Sequence, residues 1–318
     1  MSKCSTFQPL AGHKYRIFKI QNPQNSNDVQ EVSILTLLGN ENSEAIFKLV
    51  DNEELAFYQL INRIEITISN SRAYKFINDK GNYKSFKDIQ KSIKFLLEFT
   101  PRLHDIVKIS KINQVYPDVL SDKNLSINIL SSLLPQNPDF QFNNYIKIKN
   151  YSKNQIAVCD IKIGKQTYSP DACIEKKKIM NQKISESQKK FGYRILGLQM
   201  PDGQVISKNS CGKKNMQERI TELNLMNFLA QADCIVIDDI IDRLDRLTNF
   251  FLTENKSFSF YSSSLLISYG PLGTIVKMID FSHVYYDYDG NENYLHGLRS
   301  LRNHFDEYRE KLMIQNKI

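Results

Sequence analysis

The chain has 318 residues, of which 41% are hydrophobic and 24% charged, with a formal net charge of +7. This is globular composition and excludes a disordered or collagen-like chain; the length allows one large domain or two lobes. No apolar run is long enough for a membrane-spanning helix, and the opening MSKCSTFQPLAGHKYR has no apolar core for a secretory signal. The modest basic excess suits an anionic ligand without choosing among nucleic acid, lipid headgroup and phosphorylated metabolite. Cys4, Cys159, Cys173, Cys211 and Cys234 are odd in number and widely spaced, with no C-x-x-C. A disulfide framework or zinc site is not expected, and a reducing, intracellular setting, cytoplasmic and/or nuclear, is.

In chain order, the polar stretch Gln21 to Gln30 reads as loop. Ile34 to Leu38 and Ala45 to Val50 flank Gly39-Asn40-Glu41-Asn42, which predicts strand–turn–strand. Leu55, Tyr58 and Ile61 then recur at helical spacing over Asn52 to Ile61. Ile64, Ile66 and Ile68 alternate with polar residues, as in a half-buried strand. Phe86, Ile89, Ile93, Leu96 and Leu97 mark an amphipathic helix closed by Pro101. Asn143 to Ile148 alternates again and is interrupted by Lys149-Asn150-Tyr151-Ser152, which places a lobe boundary there: residues 1–148 form a first lobe and 149–318 a second.

The second half opens with a strand at Ile156 to Ile163 and a charged helix over Ala172 to Lys190. Helical periodicity follows at Ile220 to Leu229 and Ile237 to Phe251. Tyr261 to Tyr269 and Thr274 to Phe281, joined by Gly270-Pro271-Leu272-Gly273, read as a hairpin, and Tyr294 to Tyr308 as a final helix. The class is α+β, with a β-rich first lobe and a mixed second lobe. Strict βαβ alternation is missing, so the order resembles a two-lobe ATP-grasp or protein-kinase-like fold more than a doubly wound sheet.

Two carboxylates have suggestive neighbours. In Val158-Cys159-Asp160-Ile161-Lys162-Ile163-Gly164, Asp160 and Lys162 share a strand face, where an acid and a base can hold a hydroxyl and a phosphate. An ordinary surface ion pair is the competing reading. Asp280 ends an apolar strand, the way phosphotransferases present a carboxylate to magnesium; a turn cap is the competing reading. Ser262-Ser263-Ser264 offers hydroxyls that can complete a magnesium shell. Lys176 and Lys183, seven apart on one predicted helix, would lie about 10 Å apart on one face and could grip phosphates across a ring. A solvated lysine face competes with that reading, and Lys177 and Lys178 point elsewhere. The chain has no G-x-x-x-x-G-K-[ST], no G-x-G-x-x-G and no H-R-D loop, which excludes a P-loop and argues against an ordinary protein kinase. Its five histidines form no metal-spaced cluster, and Asp238, Asp239, Asp242 and Asp245 read as a solvated helix face.

Three segments together resemble the inositol polyphosphate kinase family, which carries a P-x-x-x-D-x-K-x-G strand, an S-S-L-L strand and an I-D-F strand in that order. Here they stand as Gln155 to Gly164, Ser262-Ser263-Ser264-Leu265-Leu266 and Ile279-Asp280-Phe281-Ser282-His283. Matches also fall at Gly12-His13-Lys14, Ile46-Phe47-Lys48, Glu54, Phe57-Tyr58, Phe99 to Arg102, Tyr168, Pro170, Glu175-Lys176, Gly192, Gly197, Gln199, Tyr294 and Gly297. Ile156 replaces the family's proline, Lys149 its acidic hinge residue, and residues 62–84 have no placeable counterpart.

The resemblance implies an ATP- and Mg2+-dependent kinase of a soluble inositol phosphate, a monomer that neither enters membranes nor binds nucleic acid. Lys48 would hold ATP phosphates with Glu54 as partner, and backbone at Ile148 to Asn150 would meet adenine. Asp160 would bind ribose hydroxyls or act near the attacking hydroxyl, and Lys162 would contact the transferred phosphoryl group. Asp280, helped by Ser264, would hold the metal; Lys176, Lys183 and His283 would receive substrate phosphates. Phe260 to Leu266 is similar to the hexakisphosphate kinases, which make diphosphoinositol pyrophosphates. Ile161 to Gly164 and Tyr168-x-Pro170-x-Ala172 are closer to the multikinases, which extend inositol tris- and tetrakisphosphates. The favoured expectation is a hexakisphosphate kinase with multikinase breadth; a catalytically silent inositol-phosphate scaffold is opposed by retention of Lys48, Asp160, Lys162 and Asp280.

Overall fold

The computed structural model describes residues 15–22, 25–35, 37–38, 44–79, 86–108, 144–182, 184–206, 218–286 and 292–315. A ribbon of β1 (Tyr15–Asn22) and β2 (Asn25–Leu35) pairs Tyr15 with Leu35. The stretch from Gln21 to Gln30 is therefore strand on both sides of 23–24, not the expected loop. Ladder pairing is a backbone property, and polar composition hid it.

A four-stranded sheet follows in the order β3 (Leu37–Leu38), β4 (Ala45–Val50), β6 (Asn144–Lys149), β5 (Leu103–Lys108). Helices α1 (Asn52–Ile61) and α3 (Phe86–Phe99) pack with it, and Asp51 caps α1 by accepting the Glu54 N–H. The predicted strand at Ile64 to Ile68 is irregular chain instead. Gln59 of α1 holds it from both sides, donating to Thr67 Oγ1 at 3.1 Å and accepting the Thr67 N–H at 3.3 Å. The alternation survives, since Ile66 and Ile68 pack on the core while Ile64 is exposed, but no strand pairs with it. Helix α2 (Arg72–Asp79), unforeseen, completes this half.

The second sheet is five-stranded and antiparallel in the order β12 (Ile275–Ile279), β11 (Ser264–Tyr269), β7 (Ala157–Ile163), β8 (Tyr193–Gln199), β9 (Val205–Ile206). One face is apolar: Cys159, Ile161 and Ile163 of β7 and Tyr193, Ile195 and Leu198 of β8 enter the core with α6 (Glu218–Phe228), α7 (Cys234–Asn249) and α8 (Glu292–Gln315). A π turn, Phe250–Glu254, continues α7, and a short pair, β10 (Ser259–Phe260) with β13 (Val284–Tyr285), closes the sheet's end. Asp238, Asp239, Asp242 and Asp245 lie exposed on α7 as expected, with Asp238 and Asp245 paired to Arg309 and Arg302.

The charged helix expected over Ala172 to Lys190 is two helices, α4 (Ile174–Gln182) and α5 (Glu186–Phe191). Ser185 breaks the run: its hydroxyl accepts the Gln188 N–H at 3.2 Å and starts a new helix. Lys183 lies outside the described residues, and the single-helix argument that set it on one face with Lys176 does not hold.

Helix α8 crosses the sheet where glycines meet. The Gly164 N–H donates to Gly192 O at 2.6 Å, and Gly297 lies on that bond. A Cβ at Gly297 would overlap Gly192 O and sit 2.9 Å from Ile163 Cγ2 and 3.2 Å from Gly164 N. Backbone cannot yield as a side chain does, so Gly297→Ala is expected to cost about 1–3 kcal/mol. Urea denaturation should show a lower midpoint at unchanged slope; an unchanged midpoint would mean that α8 slides freely over β7.

Candidate active site

The polar face of the second sheet carries Asp160 and Lys162 of β7. Opposite Lys162 stand Ser264 on one side and Arg194 on the other. The first sheet contributes Lys48 from β4, and its ammonium is 2.6 Å from both Glu54 Oε1 and Asp280 Oδ1. Glu54 also accepts the Phe281 N–H at 3.1 Å. Burial lowers the proton affinity of Lys48, yet the Asp280 and Glu54 carboxylates outweigh it and hold the ammonium well above its usual range. Burial pushes the Glu54 carboxyl up, against the pull of Lys48.

Lys162 Nζ donates to Ser262 O at 2.9 Å and Ser262 Oγ at 2.6 Å. Ser262 and Asp280 are both non-glycine residues at positive φ, +60° and +65°. Such conformations cost energy and cluster at functional sites. Here they lie at the ends of β11 and β12 nearest Lys162 and Lys48.

Asp160 is enclosed. Its Oδ1 and the buried Ser264 Oγ have no hydrogen-bond partner among the described residues, so Ser264 acts on Asp160 through proximity rather than through a formed bond. His283 is half-buried. Burial lowers its basicity, the nearby Lys176 lowers it further, and Asp51 opposes both. Lys176 is exposed on α4, within electrostatic range of His283, whereas Lys177 turns back to Pro170 O at 2.9 Å.

The sequence-derived residues Lys48, Glu54, Asp160, Lys162, Ser264 and Asp280 thus converge, with Lys176 and His283 at one margin. Ile148 lies buried within the first sheet, between Ile46 and Leu103. The Lys149 and Asn150 N–H groups already donate to Arg102 O and Glu44 O. An adenine there would have to use other backbone groups of the 150–153 turn. Two residues were missed. Arg194 stands alone in an apolar strand with no motif around it. Arg72, in the segment without a counterpart, donates to Ser282 O at 2.8 Å, pairs with Glu53 and stacks 4.2 Å from the Tyr285 ring centroid. It fastens α2 to the strand after His283.

Burial, reinforced by the Asp280 carboxylate, pushes Asp160 up to about 7, against the pull of Lys162, Ser264 and Lys48. A raised carboxyl supports the fold while protonated in the native state, and that support is lost as pH rises through about 7. In buffer free of metal and nucleotide, Asp160→Asn should therefore raise Tm at pH 8, on the order of 5 °C. The gain should vanish toward about pH 4, where the unfolded carboxyl also protonates. A Tm difference that does not change with pH would place Asp160 in an unstrained environment.

A model of the inositol polyphosphate kinase family matches residues 145–306, just over half of the chain. A solved structure of the inositol phosphate multikinase Ipk2 from S. cerevisiae, in complex with ADP and Mn2+, matches with a TM-score of 0.54 at 16% identity, covering 84% of this chain and 99% of that chain. It shares the two-lobe, kinase-like fold. A second structure, from work on the engineering of inositol phosphate multikinase, is 23% identical over 50% of this chain and 84% of that chain, with a TM-score of 0.44. No match was found among curated proteins. The family match spans β6 through most of α8 and takes in Asp160, Lys162, Ser264 and Asp280. The chain belongs to the inositol polyphosphate kinase family and is a phosphotransferase of that kind.

Proposed function

We propose that the chain transfers the γ-phosphoryl group of ATP to a soluble, highly phosphorylated inositol, forming a diphosphoinositol pyrophosphate. The observation that carries an ATP-dependent reaction is the Lys48 ammonium fixed between Glu54 and Asp280 beside the Asp160–Lys162 strand. Lys48, held at two points, meets nucleotide phosphates without losing much side-chain freedom. Lys162, steered by Ser262, presents its charge to the transferred group. The hinge of this reading lies at residues 149–150, between the two sheets.

The donor set fits magnesium, which takes one or two carboxylates plus phosphate oxygens. Asp280 has a partly exposed carboxylate, and Ser264 Oγ is an unsatisfied oxygen nearby. A bound ion would neutralise phosphate charge. What remains for the protein is positioning and electrostatic stabilisation, which is most of what phosphoryl transfer requires.

One observation favours a second reading, the multikinase. Asp160, pushed up to about 7, is poised to take a proton from an attacking hydroxyl, which tris- and tetrakisphosphates possess and a fully phosphorylated ring lacks. Incubation with ATP, magnesium and a panel of inositol phosphates, followed by separation by charge, decides between the two. Product from the hexakisphosphate supports the first reading; product only from rings with free hydroxyls supports the second; none from any substrate overturns both.

Lys162→Ala is expected to lower kcat about 100-fold or more with little change in KM for ATP, because the ammonium meets charge that develops in the transition state. A change confined to KM for ATP would make Lys162 an ordinary nucleotide contact. Lys176→Ala should raise KM for the inositol phosphate about 10-fold and leave KM for ATP unchanged. Lys178→Ala, exposed on the same helix, serves as the control. Equal effects from the two would mean that only net charge matters.

A further inference from the structure

We propose that Arg194 is an acceptor-binding residue that takes a phosphate of the inositol polyphosphate, beside Lys162. The inference rests on the functional reading above and extends its substrate site to β8.

Arg194 pairs across the ladder with Lys162, and cross-strand partners in an antiparallel sheet project to the same face. Its neighbours Tyr193 and Ile195 enter the core, so Arg194 faces the side that carries Asp160 and Lys162. It is half-buried, and its Nε is enclosed with no hydrogen-bond partner among the described residues. No carboxylate of the described residues forms an ion pair with it, although Asp160 is near enough to favour its charge. An enclosed guanidinium N–H without an acceptor costs stability, a cost that an acceptor on a bound ligand would relieve.

Other arginines on the helices around the second sheet are spent on structure: Arg246 on Glu98, Arg299 on Glu292, Arg302 on Asp245 and Asp306, Arg309 on Asp238 and Asp306. Arg194 is different, and the missing partner has a recognisable chemistry. A planar fork of N–H donors matches a phosphate in two-point contact better than an ammonium does. Lys162 cannot serve Arg194, being a like charge one strand away. Two cations side by side on one sheet face are stable together when a polyanion lies over both. The nucleotide side of the face is marked by Asp280 and Lys48, across β11 from Lys162; Arg194 lies on the opposite flank, toward α5, and so belongs to the acceptor.

The experiment compares the parent protein with Arg194→Met, which keeps the volume and removes the charge. Inositol hexakis-, tetrakis- and trisphosphate are the probes, read by calorimetry and by kinetics. The expected result is an acceptor Kd and KM raised about 10- to 150-fold with KM for ATP unchanged. Tm should rise by about 2 °C or more, since an unpaired buried charge has gone. A structural arginine would give the opposite sign of Tm. Unchanged acceptor affinity in a folded variant overturns the proposal, as does an equal loss for ATP and acceptor accompanied by a lower Tm. Should Arg194→Met fail to fold, Arg194→Lys keeps the charge without the fork. It should lose several-fold in acceptor affinity, and parental affinity would overturn the forked contact. A parent that binds the probes without turning them over sinks the functional reading and leaves Arg194 measurable by calorimetry; a parent that binds none sinks both.

Discussion

The site depends on one ammonium. Lys48 leaves the first sheet and ends between Glu54 of α1 and Asp280 of the second sheet, 2.6 Å from each. Glu54 is almost wholly enclosed, at 4% side-chain exposure, so the bridge is not a surface pair of little consequence. Removing Lys48 would strand Glu54 in the interior. Glu54 also takes the N–H of Phe281, whose ring packs against Phe57 and Tyr58 of α1 at 4.5 and 5.4 Å between centroids. A polar and an apolar contact thus converge on one point, and the backbone at Asp280 is held at positive φ by what surrounds it. The two sheets are joined where phosphate would lie.

Charge in this cleft is balanced but crowded. Glu54, Asp160 and Asp280 face Lys48, Lys162 and Arg194, and burial works against the charge of Lys48, Glu54, Asp160 and Arg194. Asp160 absorbs the conflict. It is the carboxyl whose proton is held to about 7, because burial disfavours its charge and Asp280 repels it, against the pull of Lys162 and Lys48. A polyanion bound as proposed would change that balance. It would supply negative charge to Lys162 and Arg194 and draw Lys48 toward phosphate, so the cations would no longer depend on the protein's own carboxylates. The strain stored at Asp160, Ser262 and Asp280 belongs to a surface shaped for a ligand more than for its own lowest energy.

What the sequence reveals follows from how local each signal is. Helix α1 begins and ends where its apolar spacing and Asp51 put it, and the β11–β12 hairpin is marked by Gly270-Pro271-Leu272-Gly273. Ile64, Ile66 and Ile68 carried a true period-two signal, yet whether an extended segment finds a partner strand is a non-local fact. The apolar residues of the lysine-rich stretch after Gly164, Ile174, Ile179, Met180 and Ile184, share no single helical face, so only Ser185 three residues before Gln188 announced the break. Asp160, Lys162 and Asp280 were legible because motif and alternation coincide there. Arg194 was not, since a single arginine in a strand says nothing until its ladder partner is known.

That ladder has an irregularity which makes the site possible. Along β7 and β8, Ile163, Ile161 and Lys162 oppose Tyr193, Ile195 and Arg194, but Asp160 opposes Gly197 and Val158 opposes Gln199. Leu196 is the extra residue of a bulge. In unbroken register Asp160 would face Leu196, a bulky side chain over the carboxylate. Each residue beyond it would also change faces, sending Leu198 out of the core, since one residue of slip inverts a strand. The bulge keeps Ile195 and Leu198 both buried and still presents Arg194 on the polar face. It also sets opposite Asp160 the one residue with no side chain. A glycine rather than a leucine opposite the carboxyl, and an intact apolar core beyond it, are thus two results of a single inserted residue.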